Sequence, residues 1–130
     1  MSKFLIIFCL KQCPPCKKLY NSLCNQQEDL KKKNIFVIKY NIDENQEIGN
    51  IINILRENLK QYHNTVLKSV PFSVLVDTSV LDKYNCEYMI NGFESEILDT
   101  SLLQNVFTET DGVKVYGNDT SSLLLDLNIT

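Results

Sequence analysis

The sequence has only one histidine, His63, and only one arginine, Arg56, in 130 residues. A thiolate zinc site needs four ligands, and the chain offers one Cys-x-x-Cys motif and that single histidine. The formal net charge is −3, so no excess of positive charge favours a nucleic acid or an anionic membrane as a partner. No run approaches the ~18 consecutive apolar residues of a membrane-spanning helix. The sequence therefore predicts no metal, no nucleic-acid partner and no membrane partner.

Cysteine is present in an odd number, five, which excludes a complete set of intramolecular disulfides. This count favours a reducing compartment with one functional pair, and the predicted location is the cytoplasm of a cell or host. The start of the chain offers an alternative, because Lys3 followed by the apolar residues 4–10 resembles a secretory signal. No small-residue cleavage site follows, and cleavage there would remove the strand that presents Cys13.

The motif Cys13-Pro14-Pro15-Cys16 lies between that apolar run and a polar segment, residues 17–33, with helical character. A strand followed by Cys-x-x-Cys at the start of a helix is the layout of a dithiol redox site. The free backbone N–H groups and the dipole of a helix N-terminus stabilise a thiolate, which lowers the pKa of the first cysteine from ~8.5. Pro15 suits a first helical turn, where its missing N–H costs nothing. We therefore assign Cys13 as the attacking sulfur and Cys16 as the resolving one.

Two other interpretations of the motif stay open. A lone Cys-x-x-Cys is half of a zinc site, and two further ligands would have to come from the remaining cysteines or the histidine. The second alternative is that the two thiols are structural residues without redox or metal chemistry. The prolines favour the redox interpretation, because they remove backbone N–H groups that commonly support metal-bound thiolates.

Apolar periodicity predicts seven elements in the order β-α-β-α-β-β-α, which is an α/β fold. The third and fourth strands are expected to form an antiparallel hairpin, because the connection between them is short. The predicted elements are strands 3–9, 35–42, 72–77 and 87–90 and helices 15–32, 46–62 and 95–107. The pattern fades near residue 108, so residues 1–108 form the predicted domain and residues 109–130 a C-terminal extension. Segments 113–116 and 123–127 of the extension are expected as short strands, as parts packed on the core, or as a frayed tail.

This order, with Cys-x-x-Cys at the first strand–helix junction, resembles the thioredoxin superfamily. Val70-Pro71 looks like the cis-proline site of that family, and residues 39–43, Lys-Tyr-Asn-Ile-Asp, are similar to a Lys-x-Asn-Ile-Asp stretch of thioredoxins. Gly92 matches the glycine that borders the family's groove. The resemblance implies a thioredoxin-like fold with a central four-stranded mixed sheet flanked by helices. It also implies a cis-proline loop facing the dithiol, with the Val70 backbone pairing with an extended substrate.

The chain departs from the family at several positions. Thioredoxins carry a buried acid six residues before the first cysteine, where this chain has Ile7, and a tryptophan where it has Gln12. Lys39 and water remain as proton acceptors for Cys16. The chain is trimmed like a glutaredoxin, yet Gly92-Phe93-Glu94 does not reproduce the Gly-Gly-x-Asp patch with which glutaredoxins hold glutathione. Its apolar start is similar to small glutaredoxin-like proteins of some large DNA viruses.

The expected function is thiol–disulfide exchange with protein disulfides through Cys13 and Cys16, coupled to an unidentified reductase or oxidant. One alternative is a glutathione-dependent, glutaredoxin-type enzyme in which Lys11 and the Val70 backbone hold the tripeptide as electron donor. Another is a non-catalytic adaptor that uses the scaffold to bind a partner. No resident cofactor is expected in any of the three.

The other cysteines have simpler expected roles. Cys9 and Cys24 fall in the first strand and first helix, where small apolar residues serve the core. Cys86 opens a strand and is expected to be more exposed. A regulatory disulfide that uses Cys86 or Cys24 is the functional alternative.

Overall fold

The computed structural model describes residues 1–129 of the chain, and its centre is a mixed six-stranded β-sheet. The strands are Lys3–Cys9 (β1), Ile35–Asn41 (β2), Phe72–Asp77 (β3), Tyr88–Asn91 (β4), Glu94–Ile97 (β5) and Val113–Gly117 (β6). Their order across the sheet is β4-β5-β2-β1-β3-β6. β1 runs parallel to β2 and antiparallel to β3, β6 runs antiparallel to β3, and β5 is parallel to β2 and antiparallel to β4. The predicted α/β class, with helices flanking a mixed sheet, is confirmed.

Helices cover both faces of the sheet. They are Pro14–Asn25 (α1), Gln27–Lys32 (α2), Gln46–His63 (α3), Thr78–Lys83 (α4), Leu103–Val106 (α5) and Thr120–Asp126 (α6), with a 3₁₀ turn at Thr100–Leu102. α1, α2 and α6 pack on one face, and α3, α4 and α5 pack on the other. Within residues 1–129, no helix combines the length and the apolar composition needed to cross a membrane.

β1 lies near the middle of the sheet because its side chains are apolar on both faces. Alternate residues of a strand point to opposite sides, so Phe4, Ile6 and Phe8 join one core while Leu5 and Ile7 join the other. All five side chains are fully buried. A strand without a polar face is stable only between two covered layers.

α3 has the features of a well-specified helix. The Asn45 side chain caps it by accepting a hydrogen bond from the Ile48 N–H at 3.0 Å, and Asn64 ends it in a left-handed conformation. Its apolar stripe is buried, with members Ile48, Ile51, Ile52, Leu55 and Leu59. The predicted helix at 15–32 is observed as two, α1 and α2, which meet at Gln26.

The predicted hairpin between the third and fourth strands is wrong. β1 and β6 occupy both edges of β3, so no edge is left for β4. The chain instead leaves β3 through α4, and β4 pairs with β5 at the far side of the sheet. The predicted helix at 95–107 is also partly wrong, because residues 94–97 form β5 and helical structure begins only at residue 100. The sheet consequently has six strands rather than the predicted four.

Residues assigned to a C-terminal extension contribute to the same sheet. β6 pairs with β3, and Gly117 lies directly opposite Ser73 in that pairing. α6 follows, and its Leu123 is fully buried in the core that contains α1. This end of the chain therefore covers part of the α1 face.

Candidate functional site

Cys13 is the N-cap of α1. Its backbone is extended, and its Sγ accepts a hydrogen bond from the Cys16 N–H at 3.3 Å. Pro14 and Pro15 occupy the first turn, where helical backbone donors have no intrahelical partner. The Cys13 and Cys16 sulfurs lie at disulfide distance, with the two Cα atoms 5.2 Å apart. The two thiols can therefore be oxidised together to a disulfide and reduced again, and the Cys13 sulfur accepts a backbone hydrogen bond.

Strand register brings the dithiol and the proline loop to the same end of the sheet. Phe8, near the end of β1, is paired with Phe72 at the start of β3, and the Val70–Pro71 bond just before Phe72 is cis. A groove of about 440 Å³ separates α1 from this loop. Its lining includes Pro15, Leu19, Val70, Pro71, Asn118 and Leu124. The structure thus places Val70 and Pro71 beside the N-terminal turns of the helix that carries the cysteines.

Asn118 lines the third side of this groove directly after Gly117, and sequence reasoning missed both residues. Gly117 has φ +60°, a conformation that L side chains rarely adopt, and it turns the chain directly after β6. The Asn118 Nδ2 donates hydrogen bonds to the carbonyl oxygens of Ser69 and Pro71, each at 2.9 Å. The Gly-Asn-Asp sequence at 117–119 indicates a turn, but it does not show that this turn lies beside the Val70–Pro71 loop.

Gly92 does not lie in the groove, contrary to expectation. It forms the turn between β4 and β5 with φ +69°. Glu94 is paired with Val37, near the start of β2, whereas the dithiol follows the opposite end of the neighbouring strand, where Cys9 is paired with Asn41. Because β2 and β5 are parallel, this register places Gly92 towards the end of the sheet away from Cys13 and Pro71.

The strand beneath the dithiol is apolar. Ile7, at the position where thioredoxins carry an acid, is fully buried, and it is paired with Lys39 on one side and Ser73 on the other. The Lys39 Nζ lies 4.6 Å from the centroid of the Tyr20 ring. β1 carries no carboxylate, so any proton from Cys16 must leave through water or a more distant group.

The other three cysteines are free thiols. Burial raises the pKa of Cys9 to about 11, against a smaller opposing effect of Lys39. Burial also raises the pKa of Cys86 to about 11, and this residue is 2% exposed, so its expected exposure is wrong. Cys24 is half-buried, and burial followed by the nearby Glu94 raises its pKa. All three thiols are held in the protonated, less reactive form at neutral pH.

The residues that the sequence offered as ligands for a metal or for glutathione, among them His63 and Lys11, make other contacts. Among residues 1–129, no three His, Cys, Asp or Glu side chains are grouped closely enough to hold a metal ion. The His63 Nε2 lies 3.0 Å from the Phe107 carbonyl oxygen. The Lys11 N–H donates to Asp43 Oδ1 at 3.0 Å, and its ammonium lies 3.8 Å from the Glu44 carboxylate.

Comparisons with known proteins identify no family. No protein-family model matches the chain, and no curated protein matches its sequence. A solved structure described as "Structure of a malarial protein" is similar over 59% of this chain and 71% of its own, with 18% identity and a TM-score of 0.42. Function has to be inferred from the residues and their geometry.

Proposed function

We propose that this chain is a thiol–disulfide oxidoreductase with a thioredoxin-like fold, acting on protein disulfides through Cys13 and Cys16. The observation that carries the proposal is the position of the Cys13 Sγ at the N-cap of α1, with the Cys16 N–H donating to it. The groove between that helix and the Val70–Pro71 loop is lined by Pro15 of the motif, though by neither cysteine, and it supplies a place for a substrate next to the motif.

The topology supports a thioredoxin-like fold if four of the six strands are compared. β2, β1, β3 and β6 are adjacent in that order, and α1, α3 and α6 supply the accompanying helices. In this comparison residues 78–112, which contain α4, β4, β5 and α5, are an insertion between the third and fourth strands of the family's sheet. Gly117 then takes the position that the sequence assigned to Gly92.

The reaction runs in two exchanges. The Cys13 thiolate attacks one sulfur of a substrate disulfide, which forms a mixed disulfide and releases the other substrate sulfur as a thiolate. The Cys16 thiolate then attacks the Cys13 sulfur, which closes the Cys13–Cys16 disulfide and releases the second substrate thiolate. The substrate gains two electrons and the enzyme dithiol loses two, and a separate reductase restores the dithiol. The same steps in reverse oxidise a substrate dithiol.

Substrate positioning is assigned to the groove. An extended segment of the substrate pairs with the backbone of Val70, and apolar side chains beside its cysteine contact Leu19 and Leu124. The odd number of cysteines favours a reducing compartment, the cytoplasm of a cell or host, because it excludes a complete set of intramolecular disulfides.

The decisive test is a trapping experiment. The Cys16→Ser protein should accumulate mixed disulfides with protein substrates, since the resolving sulfur is absent, whereas Cys13→Ser should accumulate none. Cys24→Ser is the matched control, because it removes a half-buried thiol of the same helix and should retain normal turnover. A non-catalytic adaptor would keep its function in both dithiol variants and form no covalent adduct in either.

A glutathione-dependent enzyme is the second candidate, supported by the segment that follows β6. Gly117-Asn118-Asp119 matches the last three positions of the Gly-Gly-x-Asp pattern, with Tyr116 in place of the first glycine, and its middle residue, Asn118, lines the groove. Asp119 also caps α6 by accepting from the Ser122 N–H at 3.0 Å. Reduction of a glutathione mixed disulfide faster than insulin would favour this candidate, and the opposite order would favour protein substrates.

A further inference from the structure

The turn from β4 to β5 forms a surface that the dithiol reaction does not use. We define residues 87–98 as the acidic hairpin. Between Lys83 and Lys114 the chain contains no lysine or arginine but six carboxylates, three of them on this hairpin. The hairpin carboxylates are Glu87, Glu94 and Glu96. A stretch of one sign in a protein with thirteen basic residues elsewhere creates a local negative potential.

The outer edge of β4 has unpaired hydrogen-bonding groups. β4 is an edge strand of the sheet, so among residues 1–129 only β5 pairs with it. The Leu98 N–H donates to the Glu87 carbonyl, and in an antiparallel ladder alternate residues point their backbone groups to the same side. The N–H and C=O groups of Tyr88 and Ile90 therefore point outwards. β4 carries no proline or lysine, the residues that commonly protect such edges.

Exposed apolar side chains accompany these groups. Met89 is 51% exposed, Ile90 48% and Leu98 48%. Met89 is paired with Glu96, and paired residues share a face of the sheet, so the methionine stands among carboxylates. A shallow pocket of about 140 Å³ opens on this face beside Met89, and a second of about 580 Å³ lies at the base of the hairpin with Asp82 and Glu87 in its lining. Both pockets offer space for a cationic side chain next to acids.

We propose that the acidic hairpin binds a basic, extended segment of a partner protein, which adds to β4 as a further strand. The backbone of the segment pairs with Tyr88 and Ile90. Its lysines or arginines lie over Met89 and the glutamates on one face of the sheet, and its apolar residues cover Ile90 on the other face. Charge decides against a second copy of this chain, because pairing two hairpins edge to edge would bring their glutamates together. The surface is at the end of the sheet order away from β3, so a bound partner leaves the dithiol groove open.

Peptide binding to the full-length protein tests the proposal, with fluorescence anisotropy as the readout. A short synthetic peptide of alternating lysine and valine should bind saturably, and more weakly as salt increases, whereas a glutamate–valine peptide of equal length should not bind. Methylating alternate backbone nitrogens of the lysine–valine peptide should abolish binding, because strand pairing needs those N–H groups. Unchanged affinity of the methylated peptide, or equal binding of both charge types, would overturn the proposal.

Protein variants locate the site. Glu87→Lys with Glu96→Lys should weaken binding of the lysine–valine peptide by at least about tenfold, equivalent to about 1.4 kcal/mol. Glu28→Lys with Glu57→Lys, on exposed positions of α2 and α3, is the matched control and should bind normally. An equal loss in both proteins would contradict a hairpin site. Concentration-dependent dimerisation abolished by the first pair would show that a second copy occupies the edge and would also overturn the proposal.

Discussion

The Asn118 side-chain amide donates a hydrogen bond to the Pro71 carbonyl oxygen, over 2.9 Å, immediately after the cis bond. The same amide donates to Ser69, so one side chain from the C-terminal part of the chain holds both sides of the loop that faces α1. This contact joins segments 47 residues apart. The shape of the groove beside the dithiol thus depends on residues that follow β6.

Replacing Asn118 by alanine should loosen this loop. Two hydrogen bonds are lost, one of them exposed, so we expect the free energy of unfolding to fall by about 1–2 kcal/mol in urea denaturation. The rate of the proposed disulfide reduction should fall as well, because the groove that we propose for the substrate becomes less ordered. Asn50→Ala, at an exposed position of α3, is the control and should leave both quantities nearly unchanged.

Gly117→Ala should destabilise the protein through the backbone. The residue has φ +60°, and an added Cβ would lie 3.4 Å from both Phe72 Cε2 and Thr65 Cγ2. We expect a loss of about 1–2 kcal/mol, measured by urea denaturation. Gly49→Ala is the contrasting variant, since this glycine lies in α3 and an added Cβ would meet only the Ile42 carbonyl oxygen, at an ordinary contact distance of 3.9 Å; alanine there should stabilise by about 0.5–1 kcal/mol. Similar effects of both substitutions would contradict this account.

Stability should decrease at alkaline pH because of the buried Cys9 thiol. Burial raises its pKa to about 11 in the folded protein, whereas an unfolded chain titrates near ~8.5. Between these values the native state binds more protons, so the contribution is complete below pH ~8.5 and is lost as pH rises towards 11, on the order of 3 kcal/mol. Cys9→Ala should flatten the pH dependence of the urea midpoint. Ile7→Val, on the same face of β1, should lower stability without changing that slope.

Tyr20→Phe should weaken the contact between α1 and the hairpin formed by β4 and β5. The Tyr20 hydroxyl donates to the Glu94 carboxylate, and its ring packs 6.0 Å from the Phe93 ring between centroids. Losing the hydroxyl should cost about 1 kcal/mol and speed amide hydrogen exchange in β4 and β5. Tyr62→Phe, at a side chain 41% exposed on α3, should change neither. Unaltered exchange in the first variant would show that packing alone holds the hairpin.

Local patterns in the sequence predicted the elements whose conformation depends mainly on residues close together in the chain. The stripe of α3, the apolar β1 and the helix start at Cys13 depend on side-chain spacing and on residues within one or two turns, so the sequence indicates them directly. The candidate dithiol and the adjacent Val70–Pro71 segment were likewise identifiable from their residue types.

Strand partners were decided by the tertiary structure. Residues 88–91 have strand character, but nothing in their spacing shows that β5 rather than β3 pairs with them. The edge of β3 is taken by β6, which lies much further along the chain, and that pairing places Gly117 opposite Ser73 and brings Asn118, rather than Gly92, to the groove. Hydrogen bonds between strands carry little residue-specific information. The choice among partners depends instead on which combination buries both faces of the whole sheet, and short stretches of sequence do not contain that information.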